Sequence, residues 1–270
     1  MSTRPGPDVG VSAPPNGKGT RKAARAAARA AKKRGEMTLV EHLTELRRRL
    51  VISVAAVTVG AVVGWFLYRP VLRLLLDPYR RAVGDPHAKF VFFGVAEPFL
   101  IQLKVSVVIG LFIASPVVLM QLWRFITPGL YPNERRMAIP FILSSIFLFC
   151  LGAFFAWLTF PAALKFLLGF GGAELAPFLS AERYITFMLL LILAFGVSFE
   201  LPVVLQFLVL AGVVSSRQLR TWRRWAILLI TIFAAVITPT QDPFSMTLMA
   251  APMVVFYEAV IWISRLVFKK

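Results

Sequence analysis

Six stretches of this chain are apolar over most of the length that a bilayer demands: Leu50–Tyr68, Val105–Trp123, Met137–Phe160, Ile185–Leu210, Trp225–Thr238 and Met246–Ile263. A hydrocarbon core about 30 Å thick takes roughly 20 residues of helix, and lipid-exposed backbone must satisfy its own hydrogen bonds. The pattern therefore predicts an all-α membrane protein with six transmembrane helices. The fifth stretch has 14 residues; at ~1.5 Å per residue it reaches only ~21 Å. The sixth, with 18, is marginal. Short helices 5 and 6 are expected to form a hairpin around TPTQDPF (238–244), whose prolines stop one helix and open the turn. Such a pair thins the bilayer beside it. The long fourth stretch has to tilt or bend, and Pro202 supplies the place.

A different periodicity precedes the first stretch. In MTLVEHLTELRRRL (37–50), Leu39, Leu43, Leu46 and Leu50 fall at i, i+4, i+7 and i+11, with Glu41, Thr44, Glu45 and Arg48 opposite. That is an N-terminal amphipathic surface helix, expected to lie on the membrane before the chain turns in. Residues 1–36 are rich in Ala, Gly, Pro, Lys and Arg and hold almost nothing to bury. They read as a disordered basic cytoplasmic tail. Within it RKAARAAARAAKKR (21–34) suits a transient helix on anionic lipid, and a transit peptide is the alternative. Residues 37–268 form the expected six-helix domain.

Composition agrees. Hydrophobic residues make up 58% and charged residues 16%, mean hydropathy is +0.75 and net charge is +17; soluble domains carry about 25% charged residues. Lysines and arginines alternate in density between connecting segments. With the N-terminus inside, the cytoplasmic pieces 1–49, 124–136, 211–224 and 265–270 hold twelve, three, four and three; the outer pieces 69–98, 161–183 and 239–243 hold five, two and none. The positive-inside rule then puts both termini in the cytoplasm. The same pattern accounts for the basic charge, so no nucleic-acid partner is expected. One cysteine, Cys150, and two scattered histidines, His42 and His87, make no disulfide framework or metal set. No nucleophile motif or phosphate loop occurs, so no cofactor and no enzyme activity are expected.

Four glutamates stand out. Glu45 precedes three arginines; it pairs with Arg48 or Arg49 on its own helix, or is offered to a cationic partner. Glu134 lies in RFITPGLYPNERR (124–136), where Pro128, Gly129 and Pro132 forbid a continuous helix. If Asn133 caps the third helix, Glu134 complements its dipole. Against that stand Phe125, Leu130 and Tyr131, which place apolar surface beside the acid, as a receptor for an arginine-bearing peptide with an apolar tail would need. Glu200 lies within the fourth stretch, where an ionised acid costs about 2.5–3.5 kcal/mol. It is either hydrogen-bonded to a carbonyl freed by Pro202 or functional. Glu258 in the sixth stretch pairs with Arg265 or has a role of its own. Trp65, Trp157 and Trp262 read as interfacial or packing residues.

HLTELRRRL (42–50), AEPFLIQLK (96–104), SPVVLMQLWRFITPGLYPNERR (115–136), AFGVSFELPV (194–203) and TPTQDPFSM (238–246) together resemble the TatC family, the core subunit of the twin-arginine protein translocase. The likeness is colinear from about Met37 to Ser264. It implies a multi-pass protein of the bacterial cytoplasmic membrane (or a thylakoid). Such a protein receives twin-arginine signal peptides, associates with itself and with the single-span subunits TatA and TatB, and exports folded proteins on the proton-motive force. By that resemblance Glu45 and Glu134 form the signal-peptide site, with Arg47, Phe125, Pro128, Leu130, Tyr131 and Arg135 at neighbouring motif positions. Pro78, Glu97, Pro98 and Phe99 match an outer loop that matters for shape and assembly. Glu200 meets a partner subunit in the membrane, flanked by Thr238, Ser245, Met246 and Thr247. Met246 stands where some relatives carry glutamine.

Two other classes compete. A proton-coupled transporter using Glu200 and Glu258 would carry internal repeats, and none is visible. An intramembrane enzyme would need a nucleophile–base pair or metal ligands within the spans.

Overall fold

A computed structural model describes residues 39–85, 90–126, 138–172, 179–239 and 242–267. Its internal contacts divide the chain into two units, Met1–Arg48 and Arg49–Lys270. The described residues form eight helices: α1 (Leu39–Val83), α2 (Glu97–Ile126), α3 (Ala138–Gly169), α4 (Ala181–Ser198), α5 (Leu201–Leu210), α6 (Ser216–Thr221), α7 (Arg223–Ile237) and α8 (Pro243–Val267). Five helices, counting α4 and α5 as one, are long and apolar enough to cross a membrane. Phe66 and Phe147 on these helices, and Leu229 and Val236 on α7, are largely exposed, a surface that suits lipid and not water. The chain is an all-helical, multi-pass membrane protein.

Two lengths differ from expectation. The amphipathic stretch is the opening turns of α1 rather than a separate helix, because no proline or glycine interrupts the ladder from Leu39 to the first span. Helix α8 has 25 residues, so hydrogen bonding extends beyond its apolar stretch at both ends and it covers ~37 Å. Helix α7, with 15 residues, does fall short of a core of ~30 Å.

Prolines shape the helices by removing donors. Each lacks an N–H and orphans the carbonyl four residues back. Pro78 in α1 orphans Leu74, whose oxygen accepts instead from Trp157 Nε1–H at 3.1 Å. Pro116 in α2 orphans Phe112, whose oxygen accepts from the Ser115 hydroxyl at 2.8 Å. The expected bend in the fourth stretch is a break: α4 ends at Ser198, α5 begins at Leu201, and Pro202 stands in its first turn.

Glycines set how closely helices approach. A Cβ on Gly60 would lie 2.5 Å from Gly110 O, and one on Gly64 equally close to Ser106 O. The Gly60–Gly64 spacing lets α1 and α2 touch through backbone. Gly152 does the same for α3 against α4, at Phe195 O. Around these crossings α2 packs on α3 and α4, α3 on α4, and α8 on α5 and α7. Val105, Phe160, Met188, Phe195, Met249 and Val260 are fully enclosed at the centre.

Candidate functional site

Several charged side chains of this apolar unit are held by partners on neighbouring helices. Lys104 of α2 pairs with Glu182 of α4, and its ammonium also donates to Thr186 Oγ1 at 2.9 Å. Arg223 at the start of α7 pairs with Glu258 of α8 at 2.5 Å. This corrects the expected Glu258–Arg265 pair: the neighbouring helix offers a guanidinium closer than one two turns along.

Glu200 occupies the α4–α5 break. Its carbonyl still accepts from Val204 N–H at 3.0 Å, so the backbone restarts there. Ser145 of α3 stands next to the Glu200 carboxyl, and its Oγ accepts from Trp123 Nε1–H at 2.9 Å. Glu200 Oε1 is enclosed and has no hydrogen-bond partner among the described residues. Glu200 also lines a groove of about 850 Å³. Its walls come from α2 (Leu119, Leu122), the α4–α5 break (Val197, Val204) and α7 (Leu229, Phe233). A carboxylate acceptor in an apolar groove is an anchor for a donor brought in by another apolar helix.

Thr238, Met246 and Thr247 lie elsewhere. Thr238 is buried, with its hydroxyl donating to Ala234 O at 2.8 Å. Met246 and Thr247 line a second groove, of about 570 Å³, with Thr231 and Val254. The two grooves use different residues of α7. Ser245 is buried, and Asp242 Oδ1 accepts from its backbone N–H at 2.8 Å.

At the start of α2, Glu97 reaches back to accept from Phe93 N–H and Gly94 N–H, both at 3.1 Å. That satisfies donors of the preceding loop and fixes how the chain enters the helix. Pro98 is exposed in the first turn, where its missing N–H costs nothing. Phe99 is 58% exposed, edge-on to Trp65 at 6.0 Å. Pro78 is fully buried. Nearby, Tyr79, Phe90, Tyr184 and Phe160 form a ring cluster, and Tyr184 O–H donates to Leu75 O at 2.8 Å.

In the first unit, Glu45 is half-buried and Arg47 exposed on the opening turns of α1. Leu43 and Leu46 are exposed, and the Thr44 hydroxyl donates to Val40 O at 2.8 Å. Phe125 is half-buried near the end of α2. Pro128, Leu130, Tyr131, Glu134, Arg135 and the expected Asn133 cap lie outside the described residues, as do the 1–36 tail and its 21–34 segment.

Residues 41–252 match the family described as Sec-independent protein translocase protein (TatC). The chain belongs to the TatC family. It is 42% identical to the Sec-independent protein translocase protein TatC of Aquifex aeolicus, over 87% of this chain and 97% of that one. It is 43% identical to that of Frankia casuarinae, over 85% of this chain and 66% of that longer protein. A crystal structure of a twin-arginine translocase receptor TatC in DDM superposes with a TM-score of 0.72 at 42% identity, covering 83% of this chain and 99% of that one. The family is a component of a protein translocase rather than an enzyme.

Ser145 and Trp123 were not legible as site residues. Nothing in the sequence links them to Glu200; only the packing of α2, α3 and the break brings the three together.

Proposed function

We propose that this chain is the signal-peptide receptor and core scaffold of a twin-arginine translocase in a bacterial cytoplasmic membrane, with both termini inside. The observation that carries the reading is the family match across residues 41–252, with 42% identity to a solved receptor. Glu45 and Glu134 hold the two signal-peptide guanidiniums. Each carboxylate presents two acceptors to a planar fork, so arginine is preferred to lysine. Arg47 and Arg135 position the carboxylates. Phe125, Pro128, Leu130 and Tyr131 take the apolar part of the peptide.

Glu200 receives the other partner. A single-span subunit of the TatA or TatB kind lays its apolar helix in the groove and donates to the Glu200 carboxyl from a polar side chain. Pro78, Glu97, Pro98 and Phe99 shape the outer surface on which receptor copies assemble. Met246 and Thr247, which line the second groove, form a further contact for a subunit helix, while Thr238 is enclosed behind its bond to Ala234 O. The basic 1–36 tail lies outside the six-helix domain, 37–268. Folded cargo crosses on the proton-motive force.

The test is a titration of the purified chain in nanodiscs with an Arg-Arg signal peptide and its Lys-Lys twin. A charge-assisted contact is worth about 1.5–3 kcal/mol net, less where water reaches it. Glu45→Ala or Glu134→Ala should therefore weaken Arg-Arg binding about tenfold and erase the preference for arginine. Equal binding by all four combinations of peptide and site, with the fold intact, would sink the receptor reading.

A further inference from the structure

Away from the residues considered above for signal-peptide and subunit contacts, four arginines line one cavity of about 710 Å³. Arg217 and Arg220 come from α6, Arg223 from the start of α7 and Arg265 from the last turn of α8, with Ser216, Thr221 and Ile261 completing the wall. The cavity has a built frame. Ser215 and Gln218 close a reciprocal capping box on α6. Tyr257 O–H donates to Leu219 O at 2.6 Å and ties α6 to α8. The Arg223–Glu258 pair ties α7 to α8.

That pair also neutralises one of the four charges. The recorded ion pairs among the described residues join Arg81 to Asp77, Lys104 to Glu182 and Arg223 to Glu258; none involves Arg217, Arg220 or Arg265. Three exposed guanidiniums thus face one cavity without a carboxylate. Guanidinium forks match phosphate oxygens in geometry as well as charge. The surroundings set the level in the bilayer. Trp222, between the lining residues Thr221 and Arg223, is 52% exposed, Trp225 is 62% exposed and Leu266, next to Arg265, is 71% exposed; amphipathic rings and apolar surface of this kind are found at the headgroup zone.

We propose that this cavity binds the phosphate of an anionic phospholipid, with the acyl chains lying along the exposed apolar faces of α7 and α8. Basic pockets between transmembrane helices bind anionic headgroups in this way. A zwitterionic lipid would bring a cation against three arginines. The exposed tryptophans and leucines favour lipid over an acidic protein segment, which needs no apolar surface next to its carboxylates.

The test uses the full chain, delipidated in detergent and followed by native mass spectrometry. It is titrated with dioleoyl-phosphatidylglycerol, dioleoyl-phosphatidylcholine, inorganic phosphate and a poly-glutamate peptide. Wild type should bind the anionic lipid at least tenfold more tightly than the zwitterionic one. R217Q combined with R220Q should reduce that preference to under threefold, and R265Q should reduce it partly. R217K with R220K keeps the charge and should fall between, which preserves a reading if the glutamine pair folds poorly. R69Q with R73Q, at exposed positions of α1, should leave the preference intact. Equal binding of the two lipids by wild type would overturn the proposal, as would full preference in the glutamine variant. So would inorganic phosphate displacing the lipid at equal concentration, which would make the cavity a small-anion site. Poly-glutamate outcompeting the lipid would hand it to an acidic protein partner.

Discussion

At the scale of single residues, the unit is held by hydrogen bonds that the prolines made necessary and by ion pairs that the apolar surroundings made strict. Trp157 Nε1–H satisfies the carbonyl that Pro78 orphans, and its ring also lies under Arg81 at 5.0 Å. Trp157→Phe keeps an aromatic ring, though a smaller one, and loses the donor, so it should cost at least about 1 kcal/mol, read as an earlier thermal transition in detergent. Glu200 behaves in the opposite sense. Its Oε1 has no hydrogen-bond partner among the described residues, and an enclosed unsatisfied acceptor costs about 1–3 kcal/mol. Glu200→Leu should therefore leave the isolated chain as stable as wild type or more so. The same change should abolish a disulfide cross-link between a cysteine at the neighbouring Val204 and a cysteine on a single-span subunit. A fall in stability with the cross-link retained would mean that Glu200 is structural. The carboxylates themselves were legible, because an acid in an apolar run is visible in one dimension. Their partners were not: Lys104 meets Glu182 and Arg223 meets Glu258 across helices, and local spacing had pointed to Arg265 instead.

At the scale of elements, helix existence followed from apolar length, while helix ends followed from hydrogen bonding. Helix α1 runs on to Val83 because its prolines, Pro70 and Pro78, are accommodated and the stop comes only at Gly84. Gly84 takes φ 77° and donates its N–H to Arg80 O at 2.9 Å, as a helix-ending glycine does. The α4–α5 break tests the role of Pro202. Pro202→Ala restores a donor for Ser198 O and should join the two helices. Spin labels at exposed Leu190 and Val204, on a Cys150→Ala background, should then move apart towards the ~21 Å of a straight helix. The glycine crossings were present in the sequence as VGAVVG (59–64) but carried no partner. Which helix Gly60 touches depends on Gly110, in the next span. Gly110→Val drives a Cβ into the α1 backbone at Ala61 and should cost about 1–3 kcal/mol by overpacking. Gly169→Ala, with nothing within 4 Å, is the control; similar losses in both would show that the crossing is not tight.

At the scale of the whole molecule, orientation is a prediction of charge. Lysine and arginine favour the segments expected inside. Cysteines placed at exposed Phe170 and Val213, on a Cys150→Ala background, should separate by side in intact cells. A membrane-impermeant maleimide added outside should label position 170 and not 213. The reverse result would invert the topology and move the four-arginine cavity to the outer leaflet.

The sequence by itself determined the class, the number of apolar stretches, the shortness of α7 and the family, because each depends on local hydropathy or on colinear motifs. The same holds for the candidacy of Glu200. Only the tertiary structure decided that Ser145 and Trp123 stand behind Glu200, that its groove and the Met246–Thr247 groove are separate, and that three arginines of α6 and α7 meet a fourth from α8. Those juxtapositions join residues far apart in the chain. They arise from how closely backbones can approach at glycines and from which orphaned groups need partners, and neither is written in the order of residues along one helix.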